Sequence, residues 1–208
     1  MRTMGIDEAG RGCVLGSLVI GAFVTDDVDP MSLRQAGADD SKKLTPKRRL
    51  EAREKLKSIG TADVRLVTAE EIDQGNLNQL EEAVIADLIS KWEPDTVYID
   101  ALGPPKSLPK VMDRLREMAG RDDFEMIMEP KADSIYPVVG AASVFAKTTR
   151  DELLEDLKTD FGALGSGYPS DPTTKKWLLE WARSGQPWPA FVRTRWGTIT
   201  NLSQQSLF

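Results

Sequence analysis

Apolar residues along the chain switch between two periods, and the switches outline alternating strands and helices. Residues 4–24 open with Gly-Ile ahead of an acidic pair, turn through glycines, and continue as a Leu, Val, Ile and Ala run over 15–24. This predicts two strands joined by a loop. Thr45-Pro46 marks a helix start, and Leu50, Leu56 and Ile59 give the stretch 42–59 one apolar side, which predicts a basic, solvent-facing helix. Residues 64–67 alternate as a strand does. Leu80, Val84, Leu88 and Trp92 recur every four residues, so 76–92 is predicted as a long amphipathic helix.

Thr96-Val97-Tyr98-Ile99-Asp100 is β-branched and aromatic, follows Pro94 and is closed by Gly103-Pro104-Pro105, the pattern of a buried strand ending on Asp100. A helix over 108–118, a short strand over 124–128 and a long Ala-rich helix over 138–157 behind Tyr136-Pro137 complete an α/β order. Residues 162–169 are too glycine-rich for regular structure, and a Trp-containing helix over 173–183 follows. The expected organisation is a main domain over 1–160 and a small helical C-terminal region over 161–208, without internal repeats.

Composition narrows the chemistry. At 208 residues, 40% hydrophobic and 29% charged, the chain has ordinary globular make-up and enough length for one substantial core. No stretch approaches the roughly 18 uninterrupted apolar residues of a membrane span, no signal-like segment opens the chain, and the single cysteine suits a reducing cytoplasm, the expected compartment. A net charge of -6 and a pI near 4.9 argue against coating nucleic acid by bulk attraction, so any such contact must be local. The absence of histidine removes imidazole as base, nucleophile partner or zinc ligand. Cys13 reads as a small buried residue, and Trp177, Trp181 and Trp188 as core of the C-terminal region.

What remains is carboxylates. Asp7-Glu8 sits where the first apolar run yields to Ala9-Gly10-Arg11-Gly12, and Asp100 ends another predicted strand. Ligands of α/β sheets gather beyond strand ends, so these acids converge if their strands are neighbours, and Asp133 lies in a loop that can approach the same crevice. Taken alone, an acid at a strand end is usually a solvated cap. Four clustered acids repel one another unless a cation neutralises them, and oxygen-only ligands favour Mg²⁺ or Mn²⁺. Two such ions would meet the demands of phosphodiester hydrolysis without a protein nucleophile.

Gly5-Ile6-Asp7-Glu8-Ala9-Gly10-Arg11-Gly12 resembles the opening signature of ribonuclease HII. Matches to that family continue in order through Asp40-Ser41-Lys42-Lys43-Leu44, Tyr98-Ile99-Asp100, Lys131-Ala132-Asp133, Ala141-Ala142-Ser143-Val144-Phe145-Ala146-Lys147 with Arg150-Asp151, and Gly165-Ser166-Gly167-Tyr168-Pro169. Val192-Arg193-Thr194-Arg195-Trp196 and Asn201-Leu202 resemble the archaeal branch. The resemblance implies a ribonuclease H-like fold: a mixed five-stranded central sheet flanked by helices, its first three strands antiparallel, with a small helical C-terminal region. It implies a monomeric endoribonuclease that cuts the RNA strand of RNA·DNA hybrids, and cuts 5′ to ribonucleotides embedded in duplex DNA, leaving 5′-phosphate and 3′-hydroxyl ends. Asp7, Glu8, Asp100 and Asp133 would hold two Mg²⁺ or Mn²⁺ ions, Asp7 bridging them. Gly10, Arg11 and Gly12 would read the ribose 2′-hydroxyl, Tyr168 would stack on the sugar at the RNA-to-DNA junction, and Lys42, Lys43 and Lys147 would touch phosphates. Arg183, Arg193 and Arg195 read equally as lining the hybrid's path or as surface charge.

Gln204 opens a tail that resembles the Q-x-x-hydrophobic motif by which archaeal relatives bind the replication sliding clamp, although the chain stops at Phe208, short of the usual closing aromatic. Two rival readings are weaker. Gly10-Arg11-Gly12 begins a dinucleotide-binding pattern, but Leu15 stands where its third glycine belongs and two acids precede the turn. A non-catalytic hybrid-binding module of the same fold would tolerate a neutral residue among the ligands, whereas all four acids are present.

Overall fold

The computed structural model describes residues 1–27, 29–38 and 44–205, with side chains as far as Leu202. Strand β1 (Arg2–Ala9) runs antiparallel to β2 (Leu18–Asp26), which pairs antiparallel with β3 (Thr61–Val67). On its other edge β1 takes β4 (Thr96–Asp100) in parallel, and β4 takes β5 (Glu125–Glu129) in parallel, giving the order β3-β2-β1-β4-β5. The mixed five-stranded sheet with three antiparallel strands is the expected architecture.

The two-residue period of the strands decides what each face meets. Met4, Ile6, Val97 and Ile99 point to one side, where they pack under α4 (Leu77–Trp92) and α5 (Leu108–Ala119). On the other side lies α7 (Pro137–Phe161), with α1 (Pro30–Ala36) and α2 (Pro46–Leu56) around it. The alanines of α7 have a steric cause: a Cβ on Gly5 would lie 2.2 Å from the Val138 carbonyl oxygen, and one on Gly21 2.6 Å from that of Ala142. The helix therefore presses its backbone onto the centre of the sheet, and Asp7 and Asp100, which share parity with Gly5 and Tyr98, emerge on its side.

The remaining helices are α3 (Ala69–Gln74), α6 (Ala132–Ile135), α8 (Pro172–Ser184) and α9 (Gly197–Gln205). A separate cluster joins Trp177, Leu178, Val192 and Ile199 of the C-terminal part to Val14 and Leu15 of the β1–β2 loop, with Trp181 and Trp188 packed against it, so the tryptophans are core as expected.

Several boundaries differ from the periodicity. The strand expected over 15–24 begins at Leu18, because Gly16 turns the chain at φ +83° and Leu15 bridges Val192 instead. Helix α2 is not simply solvent-facing: Ala52 and Leu56 are buried, while Arg49 and Arg53 reach Asp151 and Glu152 of α7 at 2.6 and 2.7 Å. Helices α1 and α3 are too short for a periodic signal, although both carry local start signals: Asp29 accepting from the Met31 amide ahead of Pro30, and a reciprocal capping box between Thr68 and Glu71. The segment holding Lys42 and Lys43, and the side chains from Gln204 to Phe208, lie outside the described residues.

Candidate active site

Because β1 and β4 are parallel neighbours in the register Ile6 to Ile99, their C-terminal ends open side by side and bring Asp7, Glu8 and Asp100 to one edge. Asp100 accepts a hydrogen bond from the Ala132 amide at 3.0 Å, which ties β4 to the turn carrying Asp133. Lys131 makes that turn at φ +63°, and Asp133 is fully buried behind it. One turn of α7 faces the group: Lys147 donates to Ser143 at 2.7 Å, and its ammonium stands 3.9 Å from Asp7 and 4.0 Å from Asp133. The four acids expected from the sequence thus surround one corner of the fold.

That corner carries too little positive charge. Burial pushes the Asp7 carboxyl up to about 6 against the opposing pull of Lys147, with Asp100 adding repulsion. Glu8 is pushed up to about 8, first by burial and then by Asp7 and Asp100. Among the described residues, no three His, Cys, Asp or Glu side chains stand close enough to close around one ion as they are. The acids nevertheless fit a hard divalent cation in kind, being oxygen donors, desolvated and mutually repelling.

Asp7, Glu8 and Asp100, but not the buried Asp133, line a cavity of ≈ 450 Å³ whose other walls are Ala9, Gly10, Arg11, Gly12, Arg49, Lys147, Arg150, Asp151 and Tyr168. Gly10 is required by the fold: it sits at φ +85°, and a Cβ there would lie 2.9 Å from the Ser17 carbonyl oxygen. Gly12 has no such reason, since its φ is ordinary and a Cβ would meet only Tyr168, at 3.7 Å. The space over Gly12 is open towards the tyrosine. The Arg11 guanidinium is engaged by the buried Glu81 and by Asn78 of α4, while its charge opposes the upward push on the Glu8 carboxyl.

Tyr168, exposed at the cavity edge, stacks under the Arg150 guanidinium at 5.1 Å. Arg150 also donates to the Cys13 sulfur at 3.0 Å and to the Ser166 carbonyl oxygen, linking the two loops that flank the cavity. Cys13 is buried, as expected, and burial pushes its thiol up. Arg183 and Arg195 are exposed, but Arg193 is fully buried and lines no surface path, which removes the open alternative for that residue. Sequence reasoning passed over Arg49 and Asp151 as site-lining groups. Their only signal was adjacency: Asp151 follows Arg150 in a quoted motif, and Arg49 stands one turn from Arg53 on the same side of α2.

The ribonuclease HII family model matches residues 4–199. Ribonuclease HII of Archaeoglobus fulgidus is 40% identical over 208 residues, covering 98% of this chain and 97% of that protein. Among solved structures, ribonuclease H2 of Pyrococcus horikoshii superposes with a TM-score of 0.89 at 39% identity, covering 99% of this chain and 98% of that one. RNase HII of Archaeoglobus fulgidus, solved in complex with PCNA, gives 0.86 at 39% identity and 96% of each chain. Bst-RNase HIII, solved with Mn²⁺, shares the fold at 17% identity with a TM-score of 0.75, over 99% of this chain and 70% of that one.

Proposed function

The chain belongs to the ribonuclease HII family and is a ribonuclease H, and on that premise we propose that it cuts RNA·DNA hybrids, and duplex DNA 5′ to an embedded ribonucleotide, at the cavity beyond β1 and β4. The observation that carries the reading is the under-neutralised cluster of Asp7, Glu8 and Asp100 on one cavity wall, facing the open glycine and tyrosine on the other.

Asp7, Glu8, Asp100 and Asp133 are the proposed ligands of two Mg²⁺ or Mn²⁺ ions. When bound, such ions supply a lowered water pKa and charge for the leaving 3′-oxygen. The protein's own groups do the rest. Gly12 leaves room for the ribose, the loop backbone senses its 2′-hydroxyl, which only RNA has, and Tyr168 offers a stacking face held level by Arg150. Lys147, together with Arg49 and Arg150, gives this acidic protein the local positive wall that phosphate contact requires. Lys42 and Lys43 are proposed phosphate contacts.

No helix among the described residues is long and apolar enough to cross a membrane. A sliding clamp is the proposed partner, since a relative of the same fold was solved with PCNA and Gln204 opens a tail that resembles the clamp-binding motif without its usual closing aromatic. A pull-down in which removing residues 204–208 leaves clamp capture unchanged rules that route out.

The test of the activity is digestion of a duplex carrying one ribonucleotide, with and without Mg²⁺ or Mn²⁺. Metal-dependent cleavage 5′ to the ribonucleotide, leaving a 3′-hydroxyl, is expected; cleavage that ignores the metal overturns the mechanism.

A further inference from the structure

Arg193 is among the largest fully buried side chains of the protein, and its hydrogen bonds go to carbonyl oxygens rather than to a carboxylate. It donates to Gly10 O at 2.8 Å, to Arg11 O at 2.9 Å and to Gly16 O at 3.0 Å. Its remaining face lies 5.5 Å from the centre of the Trp196 ring. Burying a guanidinium costs several kcal/mol that neutral carbonyls repay only in part, and desolvation accordingly lowers its pKa to about 10. A buried apolar residue would fill the space more cheaply.

The consequence follows from peptide geometry. In a planar trans peptide the carbonyl and the following N–H point in opposite directions, and the described peptides are trans. Two consecutive carbonyls, of Gly10 and Arg11, are drawn onto one guanidinium beneath the loop. The amides of Arg11 and Gly12 therefore point away from Arg193, and both residues line the cavity. We propose that Arg193 is the positioning residue for ribose recognition, holding two adjacent peptide planes so that their amides present donors to the 2′-hydroxyl. The inference rests on the reading of Gly10-Arg11-Gly12 as the ribose sensor.

The arginine is itself held from two directions. Its amide donates to Val14 O at 2.9 Å, beside the Leu15 to Val192 bridge. Asp73 of α3 accepts from the Thr194 amide and hydroxyl at 2.6 Å and from the Arg195 amide at 3.2 Å. The C-terminal part of the chain thereby reaches back 183 residues to set the orientation of the loop at the end of β1.

The full-length Asp7→Asn protein, which is expected to bind without cutting, provides the test in buffer containing Mg²⁺. Its dissociation constants are compared for two duplexes of identical sequence, one all DNA and one with a single ribonucleotide. Adding Arg193→Met is expected to reduce the preference for the ribonucleotide duplex about fivefold to tenfold, the worth of a lost hydrogen-bonding site, with all-DNA affinity within twofold. Arg193→Lys, which keeps the charge but not the fork, is expected to fall between and serves if the Met variant does not fold. Equal loss on both duplexes means a scaffold role and overturns the proposal, as does an unchanged preference; in both cases the loop keeps its assignment. A lack of preference in the Asp7→Asn parent itself overturns the reading of the loop, and the proposal with it.

Discussion

The two walls of the cavity are built in opposite ways. On one, Asp7, Glu8 and Asp100 stand at the ends of hydrogen-bonded strands at the centre of the sheet, with more negative charge than Lys147 can offset. On the other, Gly10-Arg11-Gly12 and Tyr168 lie on loops, and two arginines from distant segments, Arg150 and Arg193, hold them through carbonyl, sulfur and ring contacts. The acidic wall is short of positive charge, whereas the loop wall is already satisfied by the protein. On the proposed reading, reaction chemistry and ribose selection are separable, and substitutions should divide them.

The largest separation is expected from Asp7→Asn, which should lower cleavage by roughly a thousandfold or more while leaving hybrid binding within a few fold, as gel-shift and single-turnover assays would show. Comparable loss of binding would mean that the acidic wall also carries affinity. Gly12→Ala tests the other wall: no backbone strain opposes the methyl group, which enters the open space before Tyr168. A loss of about ten- to a hundredfold in cutting at a single ribonucleotide is expected, with a melting temperature within about 2 °C of the parent. Unchanged cutting would place the ribose elsewhere.

Glu81→Ala removes the buried partner of Arg11 and should cost about 3 kcal/mol, or roughly 6–12 °C in Tm, with ribose preference kept because Arg193 still holds the loop carbonyls. Loss of preference in well-folded protein would transfer that role to Arg11.

The acidic wall also predicts a pH-dependent response to metal. A carboxyl whose folded pKa lies above its unfolded value costs nothing well below that unfolded value, at about pH 2–3, where both states hold the proton, and its full amount above the folded value. With Asp7 near 6 and Glu8 near 8, metal-free stability should decline on their account from pH 4 to 8. Mg²⁺ at one fixed concentration, a hundred times its dissociation constant at pH 8, should then raise Tm by about 5–10 °C at pH 8 and by less than half of that at pH 5, read by calorimetry. An equal gain at both values would separate the raised carboxyls from the metal site. The smallest effect expected is that Lys42→Ala reduces the slope of log affinity against log salt by about 1; an unchanged slope removes Lys42 from the phosphate path.

Much of this was legible from local patterns. Strand β4 follows the periodicity to the residue, ending on Asp100, because a β-branched run between prolines admits little else. Helix α4 begins one residue from expectation, behind an Asn76 cap. Reading failed where the deciding contact was distant. Leu15 looks like strand, yet its partner is Val192, and Arg49 looks like surface, yet it bridges to Asp151 on the cavity wall.

By itself the sequence determined which atoms are available: oxygen ligands without imidazole, placed at strand ends, a glycine pair and a tyrosine in loops, and a chain order that resembles one family. Those are properties of residue type and short-range period, which survive without a third dimension. Only the tertiary structure decided that β1 and β4 are neighbours, that Asp7 and Asp100 share the α7 side, and that Arg193 is buried while Arg183 and Arg195 are exposed. The physical reason is that a guanidinium in a polar segment has the same local signature in solvent or in the core. Its burial is set by carbonyls 177 to 183 residues away.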